Sequence, residues 1–133
     1  MRNSPISVLV IENHPMMRAA LCAAIADEAG LVVMGEASDE IEAMRTRASH
    51  LPDVILLALG TPPQDGMDTL VAIRKAFPQV PILALTTNES REQENDALAH
   101  GARVVLTKAA SRDELLLTLK GMKSKPEVRK KSR

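Results

Sequence analysis

The chain has 133 residues, room for one domain, and 45% of them are apolar, enough to bury a core. No apolar run nears the roughly 20 residues of a membrane span, and the opening Met1-Arg2-Asn3-Ser4-Pro5 lacks the apolar region of a signal peptide, so a cytoplasmic protein is expected. The formal charge is zero but uneven: from Lys120 to Arg133, seven basic residues against one acid leave +6, and residues 1–119 carry −6.

In chain order, Ile6 to Ile11 reads as a strand, and Pro15 suits the first turn of the helix that follows. Met17, Leu21, Ala24, Ile25 and Glu28 share one line of that helix, and Gly30 is expected to cap its end. Val32, Val33 and Met34 form a second strand, ending near Gly35-Glu36-Ala37. Ser38 or Asp39 can cap the next helix, with Ile41, Met44 and Ala48 spaced for its buried face. Val54 to Leu59 is an unbroken apolar run bounded by turn residues, the pattern of a strand buried on both faces.

Asp65 or Gly66 is expected to start a third helix, with Leu70, Ile73 and Phe77 as its apolar stripe and Pro78 as its stop. Pro81 to Leu85 is a fourth strand. Ser90 can cap a polar helix over residues 91–100, which has only Ala97, Leu98 and Ala99 to bury, and Gly101 ends it. Val104 to Leu106 is a fifth strand, and Ser111 caps a last helix with Leu115, Leu116, Leu119 and Met122 inside. Five strand–helix repeats imply an α/β fold, a parallel sheet covered on both faces. Residues 1–122 are the expected folded domain and 123–133 a basic tail or linker, too charged and too poor in apolar residues to order itself.

Chemistry in an open α/β sheet sits at the C-terminal ends of the strands, and there the residues are specific. Pro52-Asp53 leads into the apolar third strand, and Pro62, Asp65 and Gly66 follow it in the register Pro-x-x-Asp-Gly. This stretch resembles the centre of a receiver domain, the CheY-like module of bacterial two-component response regulators. Glu12-Asn13-His14-Pro15 is similar to the opening of the NarL/FixJ-type receivers. The resemblance covers roughly Ile6 to Lys120. It implies a flavodoxin-like, doubly wound (βα)5 three-layer sandwich with five parallel strands in the order 2-1-3-4-5.

In that family the third strand ends in an aspartate that takes a phosphoryl group from a histidine kinase, and an acidic pair after the first strand holds Mg²⁺. The acceptor position is Ala58 here, and the acidic-pair position is Glu12-Asn13. The family's hydroxyl and lysine positions are Thr86 and Lys108. Its aromatic switch position, three residues before that lysine, is Val105. A methyl group accepts no phosphoryl group. Asn13 and Ala58 also remove the two direct carboxylate ligands, leaving Glu12 and the Gly60 carbonyl for a cation that requires near-octahedral oxygen ligation. Acceptor, metal site and switch are all degraded, so the expectation is a pseudo-receiver without Mg²⁺ or other cofactor and without enzymatic activity.

Blander readings stand beside these. Lys108 can simply neutralise Glu12, Thr86 can be an ordinary strand-end hydroxyl, and His14 can be a partly exposed helix-start residue. His14, His50, His100 and Cys22 show no zinc spacing, and one cysteine forms no internal disulfide. Asp65 and Asp68 are substitute acceptors only if their loop turns back toward the third strand. The expected partner is a protein, a histidine kinase or another regulator, with a homodimer as a further possibility. It would be met through the fourth helix, fifth strand and fifth helix. No membrane partner is expected, and with Phe77 the one Phe, Trp or Tyr there is no stacking platform for bases, so nucleic acid is disfavoured. The alternative is the N-terminal receiver of a NarL/FixJ-type transcriptional regulator whose output domain is missing from the sequence.

Overall fold

The computed structural model describes residues 4–47, 50–60, 63–87 and 90–122, excluding the side chains at 47 and 63–65. The elements alternate without exception: β1 (Ile6–Ile11), α1 (Pro15–Ala26), β2 (Leu31–Ala37), α2 (Glu40–Arg47), β3 (Val54–Ala58), α3 (Pro63–Ala76), β4 (Ile82–Thr86), α4 (Arg91–Ala99), β5 (Val104–Thr107) and α5 (Arg112–Met122). All neighbouring strands pair in parallel, in the order β2-β1-β3-β4-β5. This is the doubly wound order expected from the sequence.

Side-chain alternation along each strand divides the core in two. Leu9, Ile11, Ile55, Leu57, Ile82 and Ala84 face one side with Leu70, Ile73 and Phe77 of the α3 region, Ala43 of α2 and Ala97 of α4. Val8, Val10, Val54, Leu56, Leu83 and Leu85 face the other, against Leu21 and Ile25 of α1 and the four inner residues of α5. The β1–β2 ladder slips once: Val8 pairs with Val33 but Leu9 with Gly35, so Met34 is the extra residue of a bulge.

Several boundaries differ from the sequence reading. Helix α1 stops at Ala26, where the N–H of Asp27 donates to the Ala23 carbonyl. Gly30, at φ +92°, serves instead the turn into β2, and its carbonyl accepts from the Ile6 N–H at 2.8 Å. Met17, expected on the inner line of α1, is 37% exposed. Helix α3 begins at Pro63, before Asp65 and Gly66, because proline fits a first helical turn. Strand β4 begins at Ile82, since Pro81 has no N–H for the ladder.

The inner face of α2 is also corrected: Ala43 is fully buried, whereas Ile41 and Met44 are exposed. The cap sets this phase. The Glu42 N–H donates to Asp39 Oδ1 at 2.9 Å, and the Ser38 N–H donates to Glu42 Oε1 at 2.7 Å, a variant of the capping box in which the glutamate reaches the residue before the cap. The small Ala43 then lies against the sheet. Ala48 and the tail from Lys123 onward lie outside the described residues.

Candidate functional site

The C-terminal ends of β1, β3, β4 and β5 form one rim. A cleft of about 560 Å³ there is lined by Glu12, Asn13, His14, Met16, Met17, Leu59, Gly60, Thr87 and Lys108. An adjoining hollow of about 360 Å³ shares Glu12, Asn13 and Gly60 and adds Ala58, Gly66, Ser38, Asp39 and Thr69. Glu12, Asn13, Ala58 and Lys108, named from the sequence, are thus brought together although they lie on three strand ends.

Glu12 is the most constrained of them. It is 4% exposed; its Oε1 accepts from Lys108 Nζ at 3.1 Å and its Oε2 from the His14 backbone N–H at 2.9 Å. Its carbonyl accepts from the Arg18 guanidinium at 2.8 Å. Lys108 is placed by its own N–H, which donates to the Thr86 carbonyl at 2.8 Å and prolongs the β4–β5 ladder by one rung. The ion pair therefore crosses from β1 to the end of β5, over the two strands between them. His14 caps α1, with Nδ1 accepting from the Met17 N–H at 3.4 Å.

Ala58 ends β3 opposite Leu85 and packs against the aliphatic core of the α1–α5 side. Its methyl group offers neither a nucleophile nor a metal ligand. Asp68 is exposed on α3, and the side chain of Asp65 lies outside the description. Among the described residues no three or more His, Cys, Asp or Glu side chains gather around one point. Glu12 already accepts from a lysine and a backbone amide, and Asp39 Oδ1 accepts from the Glu42 N–H. Mg²⁺ is ordinarily held octahedrally by one or two carboxylates and several waters, and these two carboxylates already accept hydrogen bonds.

Thr86, named from the sequence as the hydroxyl position, ends β4. It is 2% exposed, lines neither hollow, and donates its hydroxyl to Gln93 Oε1 on α4 at 2.9 Å. Val105 pairs with Ala84 and packs against the α3–α4 side of the core. Gln93 was missed, and so was Arg18. Gln93 did carry a signal: it stands four residues before Ala97, on the same face of a helix with almost nothing else to bury.

The geometry is that of a known family. The response regulator receiver domain model matches residues 8–120. The chain belongs to the response regulator receiver domain family. The nitrate/nitrite response regulator protein NarL of Escherichia coli K12 is 31% identical to this receiver over 115 residues, which are 86% of the chain and 53% of the relative. A protein-glutamate methylesterase/protein-glutamine glutaminase of Pseudomonas savastanoi is 37% identical over 109 residues, 81% of the chain but 30% of the relative. So this receiver spans about half or less of these curated relatives, one of which is named as an enzyme. Among solved structures, the receiver domain of the response regulator NarL from Mycobacterium tuberculosis superposes with a TM-score of 0.75 at 29% identity, covering 87% of this chain and 94% of that one. No helix among the described residues is long and apolar enough to cross a membrane.

Proposed function

We propose that this receiver is a pseudo-receiver: it takes no phosphoryl group at the end of β3, holds no Mg²⁺ there, catalyses no reaction of its own and signals through contact with a protein. The observation that carries this is Ala58, a methyl group at the strand end, beside a Glu12 carboxylate already paired with Lys108. Phosphoryl transfer to a carboxylate needs the carboxylate, and it needs a cation to offset developing charge. The partner is a histidine kinase, another regulator or a second copy of the chain. It is met through α4, β5 and α5, with residues 1–122 as the folded unit. Intact mass spectrometry after incubation with a small phosphodonor and Mg²⁺ tests the reading. The mass should stay unchanged; a hydroxylamine-labile gain of one phosphoryl group overturns it.

A second reading is favoured by the match to NarL, whose length this chain half covers. On that reading the receiver is the N-terminal part of a DNA-binding regulator, and residues 123–133 lead into an output domain. Sequencing the native transcript past Arg133 decides between them: a reading frame that continues into a helical DNA-binding domain supports the second reading.

A further inference from the structure

Helix α4 is fastened to the sheet in an unusual way. Of its nine residues, two are buried, Gln93 and Ala97, while Leu98 is 42% exposed. A methyl group anchors one turn and an amide the other. Ser90 fixes the Gln93 backbone, its Oγ accepting from the Gln93 N–H at 3.3 Å. Ser90-Arg91-Glu92-Gln93 has the spacing of a capping box, in which the glutamine would reach back to the cap. Here its side chain turns inward and accepts from the Thr86 hydroxyl at 2.9 Å, with both residues at least nine-tenths buried. Thr86 also passes the connection on: its carbonyl accepts the Lys108 N–H, and Lys108 Nζ holds Glu12.

We propose that the Thr86–Gln93 hydrogen bond is an internal latch, fixing how α4 docks on β4 and so the shape of the face formed by α4, β5 and α5. A helix with so few buried apolar side chains belongs to the low-stability end of a fold. Removing either partner of this buried link costs a hydrogen bond made away from water, a large perturbation on a weakly held element. Gln93 is thus a positioning residue that acts through Thr86. The bearing of the latch on partner recognition rests on the reading of that face given above; the latch itself does not.

Amide hydrogen exchange on the full 133-residue chain tests it. In Gln93→Met and in Thr86→Val, protection of residues 91–99 should fall about tenfold, while β1 and β3 keep theirs. The double variant should lose no more than either single one, and Thr86→Ser, which keeps the hydroxyl, should stay near the parent. Gln93→Asn, polar but too short to reach, should loosen α4 as Gln93→Met does, and serves if the apolar variants fold poorly. Unchanged α4 protection in the single variants, additive losses in the double, or a parallel loss across β1 and β3 would each overturn the latch. Phosphate uptake is read separately by mass, so a failure here is distinguishable from failure of the pseudo-receiver reading.

Discussion

The two ends of the sheet are fastened by different mixtures of bonds. At the N-terminal end, Arg74 of α3 donates to the carbonyls of Gly101, at 3.1 Å, Val80, at 2.7 Å, and Phe77. Burial, then the charge of Arg103, lowers the Arg74 pKa. Ser7 and Asp53 bind each other through backbone and side chain where β1 and β3 begin. At the C-terminal end, beside bonds to backbone such as that of Arg18 to the Glu12 carbonyl, two buried or part-buried fastenings run from side chain to side chain, Lys108 to Glu12 and Thr86 to Gln93. A bond to a loop carbonyl fixes the backbone. A bond between two side chains can be exchanged for another by a rotamer change, with the strands unmoved. The first end is a base, and the second is where the molecule can be adjusted.

The base should be the costlier to break. Arg74→Met removes a charged donor from three carbonyls and should destabilise the chain by about 3 kcal/mol. Denaturation followed by circular dichroism checks it, since there is no Trp or Tyr for fluorescence. Gly101→Ala attacks the same clasp from the other side. Gly101 sits at φ +120°, and an added Cβ would lie 2.5 Å from Arg74 Cδ. A loss below about 1 kcal/mol in Arg74→Met would undo the contrast between the two ends.

At the adjustable end, Ala58→Asp sets a new carboxylate beside the hollow that Glu12 also lines. Like charge and burial both disfavour it, so about 1–3 kcal/mol should be lost at neutral pH without metal. Mg²⁺ should restore little unless Asn13→Asp is added, and only the double variant should show clear Mg²⁺-dependent stabilisation. A single variant that melts no lower than the parent, or that binds Mg²⁺ as well as the double, would mean Ala58 and Asn13 do not share one site. Lys108→Met should cost a comparable amount, about 1–3 kcal/mol, because it takes the partner from the carboxylate of Glu12, whose side chain is 5% exposed. Adding Glu12→Gln should recover part of that loss in a double-mutant cycle, as the stranded carboxylate is what destabilises.

The smallest effect belongs to the α2 cap. The Ser38 N–H, then its hydroxyl, lowers the Glu42 pKa from 4.5. A folded-state pKa below the unfolded one gives stabilisation that is complete above about 4.5 and fades as pH falls through the depressed value. Glu42→Gln should therefore narrow its stability gap to the parent as the solution is acidified through that window. A gap that is constant or widening with acid would remove the charge from the cap.

The strands were legible because a parallel strand buried on both faces needs an unbroken apolar run, and Val54 to Leu59 is one. The inner residues of α3 and α5 were legible from their 3.6-residue spacing. The face of α2 was not: the candidates Ile41 and Met44 are exposed, and the cap at Asp39 accompanies a phase that buries Ala43, which no spacing of large apolar residues pointed to. At the site, Glu12, Asn13, Ala58 and Lys108 could be placed together because strand order alone brings those strand ends to one rim. The partner of Thr86 could not, because a seven-residue separation across a loop leaves no period in the sequence, and a glutamine on a polar helix looks like solvent-facing surface.

Phe77 is the only Phe, Trp or Tyr in the chain, and it lies fully buried between α3 and the sheet. Its ring makes the molecule its own spectrometer. Methyl resonances displaced by a buried aromatic ring can be traced to this one residue, without the overlap of several rings that usually blurs such shifts. A single resolved set of displaced methyl signals would measure how well that half of the core is ordered, and would do so without a label that disturbs it.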